Sequence, residues 1–232
     1  MDPERRPHPH PGRLTAWVVF VGFWSAAAYY AYFAPDRGAP GEPLYRFSTA
    51  VAGLVTFGVL LAIALTIAFA RNGPARELLA WRRPSSWKLA AGLSILVLVA
   101  VYVTAALLSQ VVGLDPGGEQ GLLPREWRPD RLRQYAANFL VIAVFAPLVE
   151  ELLFRGLGYS LLRPFGRPLA IVAVGAAFAA AHGLVEAFPL LALFGVGLAW
   201  IRERTGSVLP CIVLHGLFNA IAMLAVFARP PA

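Results

Sequence analysis

Apolar residues along this chain gather into long runs, separated by short segments rich in Arg, Pro and Gly. Leu14 to Ala34, Phe47 to Ala70 and Leu89 to Gly113 each have the roughly 17 to 25 residues that an α-helix needs to cross the hydrocarbon core of a bilayer. The segments between them, 35–46 and 71–88, are polar and punctuated by helix-breaking residues. The connection Leu114 to Arg133 carries Asp-Pro-Gly-Gly and Trp127 and is expected to lie along the interface. A fourth helix is predicted from Gln134 to Leu162, stopped by Arg163-Pro164 and Arg167-Pro168. A fifth follows over Leu169 to His182, a sixth over Val185 to Ile201 and a seventh over Val208 to Phe227. Pro147 and Pro210 fall within or at the start of these helices, which is tolerated where neighbouring groups satisfy the freed carbonyls.

The pattern predicts an all-α fold: a polytopic transmembrane helix bundle of about seven spans. It divides into a disordered cytoplasmic tail (1–13), N-terminal transmembrane helices and loops (14–133) and a C-terminal helix core (134–228). The first run is about twice as long as the apolar region of a signal peptide, so it reads as a retained span.

Composition sharpens this reading. With 58% hydrophobic and 14% charged residues, the chain is a membrane protein and not a soluble domain. The net charge of +7 comes from 19 Arg and one Lys, most of them in the short connections. That distribution suits membrane topology and excludes nucleic acid as a partner, which would want a basic face on a soluble fold. Lys and Arg are richer in the tail, the second loop and the connections holding Arg163, Arg167, Arg202 and Arg204, so the N-terminus is expected in the cytoplasm. The Arg-heavy, Lys-poor usage suits a GC-rich bacterial genome, hence an inner (cytoplasmic) membrane. A single cysteine, Cys211, excludes an internal disulfide or a Cys-rich metal site.

Against this background the stretch Pro147-Leu-Val-Glu-Glu-Leu-Leu-Phe-Arg-Gly-Leu-Gly158 stands out. A charge at bilayer depth costs at least about 2.5 to 3.5 kcal/mol, and such residues usually face a protein interior and mark function. Glu151 and Arg155 are four residues apart, acid first, the favourable order for an intrahelical pair. Glu150 points about 100° away, so Glu151 can be structural while Glu150 stays free. Phe178 and His182 share one helix face, as do His215 and Asn219. Two His, a Glu and an Asn converging in an apolar, polar-lined cavity suit hydrolysis: a carboxylate can take a proton from water, and His and Asn can donate to an oxyanion. The same Glu150, His182 and His215 have the composition of a zinc site with an open position.

Blander readings exist for each residue alone. A Glu–Arg pair can lock helices together, an intramembrane His can be a packing residue, and Asn138 and Phe178 can be core. Cys211, four residues before His215, allows a thiol-nucleophile reading. A membrane cysteine is, however, usually a small hydrophobe.

Together, Glu150-Glu-Leu-Leu-Phe-Arg155, Phe178-Ala-Ala-Ala-His182 and His215-Gly-Leu-Phe-Asn219 resemble the EExxxR, FxxxH and HxxxN motifs of the CPBP intramembrane proteases. That family includes the type II CAAX prenyl endopeptidases and the bacterial Abi proteins. The resemblance covers roughly residues 134 to 225; the first three spans are only generically similar. It implies a membrane protease with a water-filled cavity in which Glu150 and His182 activate water. His215 and Asn219 would form the oxyanion hole, with Glu151, Arg155 and Phe178 in support. Members have been described as metalloproteases; a metal-free, glutamate-driven mechanism is favoured here, with zinc as the alternative cofactor. Eukaryotic relatives remove three residues from a prenylated cysteine tail, so the expected partners are the lipid bilayer and a membrane-associated or lipid-modified peptide or protein. The rivals are a non-enzymatic bacteriocin-immunity or scaffold protein, a thiol enzyme using Cys211, and a transporter, for which no paired repeats are visible. The sequence carries no signal of oligomeric state.

Overall fold

Every predicted apolar run forms a helix in the computed structural model, which describes residues 11–34, 42–70, 75–114, 123–124 and 126–228. The tail before residue 11, Arg37, Arg71, the Asp-Pro-Gly-Gly at 115–118, Arg125 and Arg229 lie outside the described residues. Among the described residues there are eight helices and no strand. They are α1 (Pro11–Phe33), α2 (Phe47–Phe69), the short α3 (Ala75–Leu78), α4 (Trp87–Val112), α5 (Pro129–Phe165), α6 (Arg167–Ala181), α7 (Phe188–Thr205) and α8 (Leu209–Ala228).

The structure departs from the sequence reading at the tail, at the start of α5, which is Pro129 and not Gln134, and in the number of membrane-length helices. Residues 11–13, expected in the tail, are the first turn of α1, where a leading proline costs no hydrogen bond. Among the described residues, five helices, α1, α2, α4, α5 and α8, are long and apolar enough to span a membrane, where about seven spans were expected. With 15 residues, α6 reaches only about 22 Å at 1.5 Å per residue, less than the roughly 30 Å hydrocarbon core. α7 ends on Arg202, Glu203 and Arg204.

Burial makes α5 the axis of the bundle. Its most apolar window is 56% buried, against 11% for α1 and α4 and 17% for α2. The outer helices turn residues such as Phe23, Val55 and Leu96 outward, as a lipid-facing surface requires. The backbone of α5 widens to π geometry at Val141–Phe145 and Leu152–Gly158, departures that often accompany functional sites. Pro147 has no N–H to give Ala143, the carbonyl one turn earlier and within the first widened stretch. The exposed backbone is then taken up by other helices: Asn219 Nδ2 donates to Ile142 O at 2.9 Å and Trp17 Nε1 to Leu153 O at 3.0 Å.

One end of the bundle is tied by connections that are distant in sequence. Ser85 N donates to Thr205 O, Val208 N to Ala80 O, and Arg163 and Arg167 both pair with Glu203. This end holds most of the described Arg and Lys connections, the arrangement that the charge distribution predicted. At the other end a small cluster of Leu44, Tyr45, Tyr135, Met223 and Val226 closes the bundle. There Asn138, the packing residue expected from the sequence, donates to Leu44 O, Arg46 O and Gln134 O.

Candidate active site

Glu151 and Arg155 sit one turn apart on α5, both with no exposure. Arg155 Nη1 donates to Glu151 Oε1 at 2.8 Å, Nη2 donates to Gly195 O at 3.0 Å, and the guanidinium lies 4.2 Å from the centre of the Phe178 ring. A buried ion pair is tolerable only with such added partners, since desolvating two charges costs several kcal/mol each. Gly195 makes this possible. A Cβ there would stand 2.8 Å from Gly175 O and 3.2 Å from Arg155 Nη2, so only glycine lets α6, α7 and the guanidinium meet.

His215 reaches this pair from α8, with Nδ1 2.9 Å from Glu151 Oε1. A carboxylate only accepts hydrogen bonds, so Nδ1 carries a proton and donates. The Nε2 edge then faces Glu150, whose Oε2 is 3.7 Å away. The rings of Phe178 and Phe194 pack edge-on against this imidazole, each 5.5 Å between centres, fixing its plane. His182 is held from its own helix: Nδ1 is 2.8 Å from Phe178 O, a carbonyl that can only accept. The neutral ring therefore keeps its lone pair on Nε2.

The two adjacent glutamates are distinguished by environment. Glu151 is sealed, while Glu150 is 16% exposed and lines a cavity of about 460 Å³ between α2, α5, α7 and α8. His182, His215, Asn219 and Phe178 line the same cavity. All seven residues singled out from the sequence thus meet in one place, five on the cavity and Glu151 with Arg155 directly behind it. An open carboxylate, two oriented imidazoles and a carboxamide around one space can activate water and bind a developing negative charge.

The three residues named for zinc, Glu150, His182 and His215, all line this cavity. Zinc needs donors at about 2.0 to 2.2 Å from one point, and among the described residues no three His, Cys, Asp or Glu side chains form a group that could hold a metal ion. Cys211 is buried away from the cavity and its thiol donates to Leu198 O at 3.2 Å.

Several contributors escaped the sequence reading. Thr49, Thr56 and Phe57 bring α2 to the cavity wall; the two threonines are seven residues apart, hence on one helix face, a polar stripe visible in the sequence. Gly195 had a weaker signal, a glycine inside an apolar helix. The carbonyls of Ile142 and Phe178 have none, because every residue carries one.

The family model described as Type II CAAX prenyl endopeptidase Rce1-like matches residues 132–221. This segment, less than half of the chain, is similar to that family, which is consistent with a CPBP/CAAX protease. It begins in α5 and ends in α8, containing all seven site residues and leaving α1 to α4 outside. No curated protein and no solved structure matches the chain. Five helices long and apolar enough to span a membrane make this an integral membrane protein, and the similarity of 132–221 to a protease family supports a peptide hydrolase.

Proposed function

We propose that the chain is an intramembrane endopeptidase. It cuts a peptide bond near the C-terminus of a membrane-associated or lipid-modified protein, with the modified residue preceding the bond. The observation that carries this reading is that Glu150, His182, His215 and Asn219 line one cavity while the second glutamate is committed to Arg155 and His215.

In the reaction, Glu150 accepts a proton from water, and His182 Nε2 orients that water through its lone pair. The resulting hydroxide attacks the carbonyl carbon, and the carbonyl electrons move onto oxygen. Asn219 donates to that oxygen with the Nδ2 hydrogen not given to Ile142 O. His215, held through Nδ1 by Glu151, presents its Nε2 edge to the same oxygen. Collapse of the intermediate breaks the C–N bond, and the proton held by Glu150 passes to the leaving amine. Arg155 and Phe178 keep Glu151 and His182 in place. The family's other assigned role, immunity or scaffolding without chemistry, would leave Glu150 without a task. The Arg-rich end is assigned to the cytoplasm of a bacterial inner membrane, on the charge distribution.

The test compares membrane proteomes of the native host carrying wild type or Glu150→Gln. Precursors with extended C-termini should accumulate in the variant at equal protein level. An unchanged proteome with a folded variant would refute hydrolysis.

A further inference from the structure

On its side away from the active-site cavity, α7 forms one wall of a groove of about 320 Å³ shared with α4 and α6. The walls are Leu96 and Ala100 of α4, Ile171 of α6, and Leu193, Val196 and Trp200 of α7. Gly197 makes the floor. A Cβ there would stand 2.7 Å from Val97 Cγ1, so α4 and α7 touch at this level and the larger side chains flank the contact. Leu193, Val196 and Trp200 recur at the spacing of one helix face, and Arg204 falls on that face one turn further on. Burial agrees: Arg202, about half a turn round the helix, is buried over the Tyr159 ring at 5.4 Å, while Arg204 is exposed. Glu203, its neighbour in the chain, is taken up by Tyr159, Arg163 and Arg167, which leaves Arg204 without an ion pair among the described residues. On α6, Arg167 stands four residues from Ile171 towards the arginine-rich end and is largely exposed.

Depth decides what fits. At 1.5 Å per residue, the wall from Trp200 to Leu193 lies from roughly 6 to roughly 16 Å below Arg204. That is the depth of one leaflet, whose hydrocarbon half is about 15 Å thick. A phospholipid matches both parts of the pattern, with an apolar chain for the groove and a headgroup at the level of Arg204 and Arg167. Two copies of this chain in one membrane orientation would instead set these arginines against each other at the same level. Basic groups at the membrane surface attract anionic lipids, and a tryptophan such as Trp200 suits the boundary between headgroup and acyl chain. We propose that the groove binds one anionic phospholipid of the leaflet at the arginine-rich end, its acyl chain lying along α7 and its phosphate held by Arg204 and Arg167. This site is independent of the endopeptidase reading. The same turn of α7 gives Gly195 O to Arg155 on its inner side and turns Val196 to the groove on its outer side. The lipid thus braces the helix that supports the buried ion pair.

The test uses the detergent-solubilised full chain with phosphatidylglycerol or phosphatidylcholine brominated on the acyl chains. Phosphatidylglycerol at one lipid per protein should quench the part of the fluorescence that Trp200→Phe removes. Phosphatidylcholine should need about 5- to 30-fold more lipid for equal quenching, the effect of one or two basic residues beside an anionic lipid. Arg204→Glu should erase that preference, and Arg133→Glu, exposed at the opposite end, should keep it. Ala100→Phe, which fills the groove, should at least halve the quenching by either lipid. Glycerol 3-phosphate at the same concentration should displace neither. Equal quenching by the two lipids, or a preference that survives Arg204→Glu, overturns the proposal; Arg204 is exposed, so this variant decides even if Ala100→Phe fails to fold. Undiminished quenching in a folded Ala100→Phe protein overturns the groove. Displacement by glycerol 3-phosphate would make the site one for a free anion, and a two-chain particle that Ala100→Phe dissociates would give the face to a second copy. Either result overturns the lipid.

Discussion

His215 Nδ1 lies 2.9 Å from Oε1 of Glu151, a hydrogen bond between two helices that joins residues 64 positions apart in the chain. It fixes which edge of the imidazole meets the cavity and makes Glu151 the hinge between the buried pair and the reacting face. Truncating Glu151 therefore does two things at once. Glu151→Met should strand Arg155 as a buried unpaired charge, costing about 3 to 5 kcal/mol, seen as a large fall in thermal stability in detergent. Arg155→Met on top of it should recover much of that stability but none of the activity, since His215 stays unoriented. A double variant as unstable as the single one would contradict this account.

Glu150 carries no such structural duty. Its ionic neighbour is His215 at 3.7 Å, longer than a hydrogen bond. Glu150→Gln is isosteric and should keep the melting temperature of the wild type while lowering kcat by about 10² to 10⁴-fold, the range for loss of a general base. Wild-type turnover in a purified, folded Glu150→Gln protein would remove Glu150 from the chemistry.

Asn219 has both duties, holding the carbonyl of Ile142 and facing the cavity. Asn219→Ala should lower kcat by about 10² to 10³-fold, as for loss of an oxyanion donor, with a smaller change in KM. A rise in KM at unchanged kcat would mark Asn219 as a substrate-binding residue instead.

The contact between Gly175 and Gly195 tests the packing. Val196 N and Cγ2 would each stand 2.6 Å from a Cβ at Gly175, so Gly175→Ala must push α6 from α7. Overpacking of this kind costs about 1 to 3 kcal/mol. The shift would also carry Phe178 away from Arg155, so activity should fall more than stability. An alanine variant with unchanged melting temperature and turnover would show that the helices can part without consequence.

Cys211, buried and bonded to Leu198 O, should be dispensable. Cys211→Ala is expected to retain turnover within about twofold, and thiol alkylation of the folded protein to leave it unchanged. Inactivation by Cys211→Ala at normal stability would restore the thiol reading.

The all-helical class and the positions of the long apolar helices were legible in the sequence because bilayer thickness imposes a run length, whereas the short α3 and the number of membrane-length helices were not. The separate fates of Glu150 and Glu151 were legible too. A spacing of four ties Glu151 to Arg155, and the 100° step of a helix turns its neighbour elsewhere. The motifs named the residues at the cavity, since intramembrane polar groups are few and expensive.

Only the tertiary structure decided what those residues do to one another. That His215 bonds Glu151, that Asn219 spends one hydrogen on Ile142, and that Phe178 carries Arg155 on its ring and His182 on its carbonyl all depend on the angles and depths at which helices cross. Backbone carbonyls and close glycine contacts leave no trace in residue type, and the groove walled by α4, α6 and α7 arises from apolar side chains that the sequence shows only as membrane filler. Local pattern follows from the chemistry of each residue with its own helix; a site follows from packing between helices, which no single stretch of sequence contains.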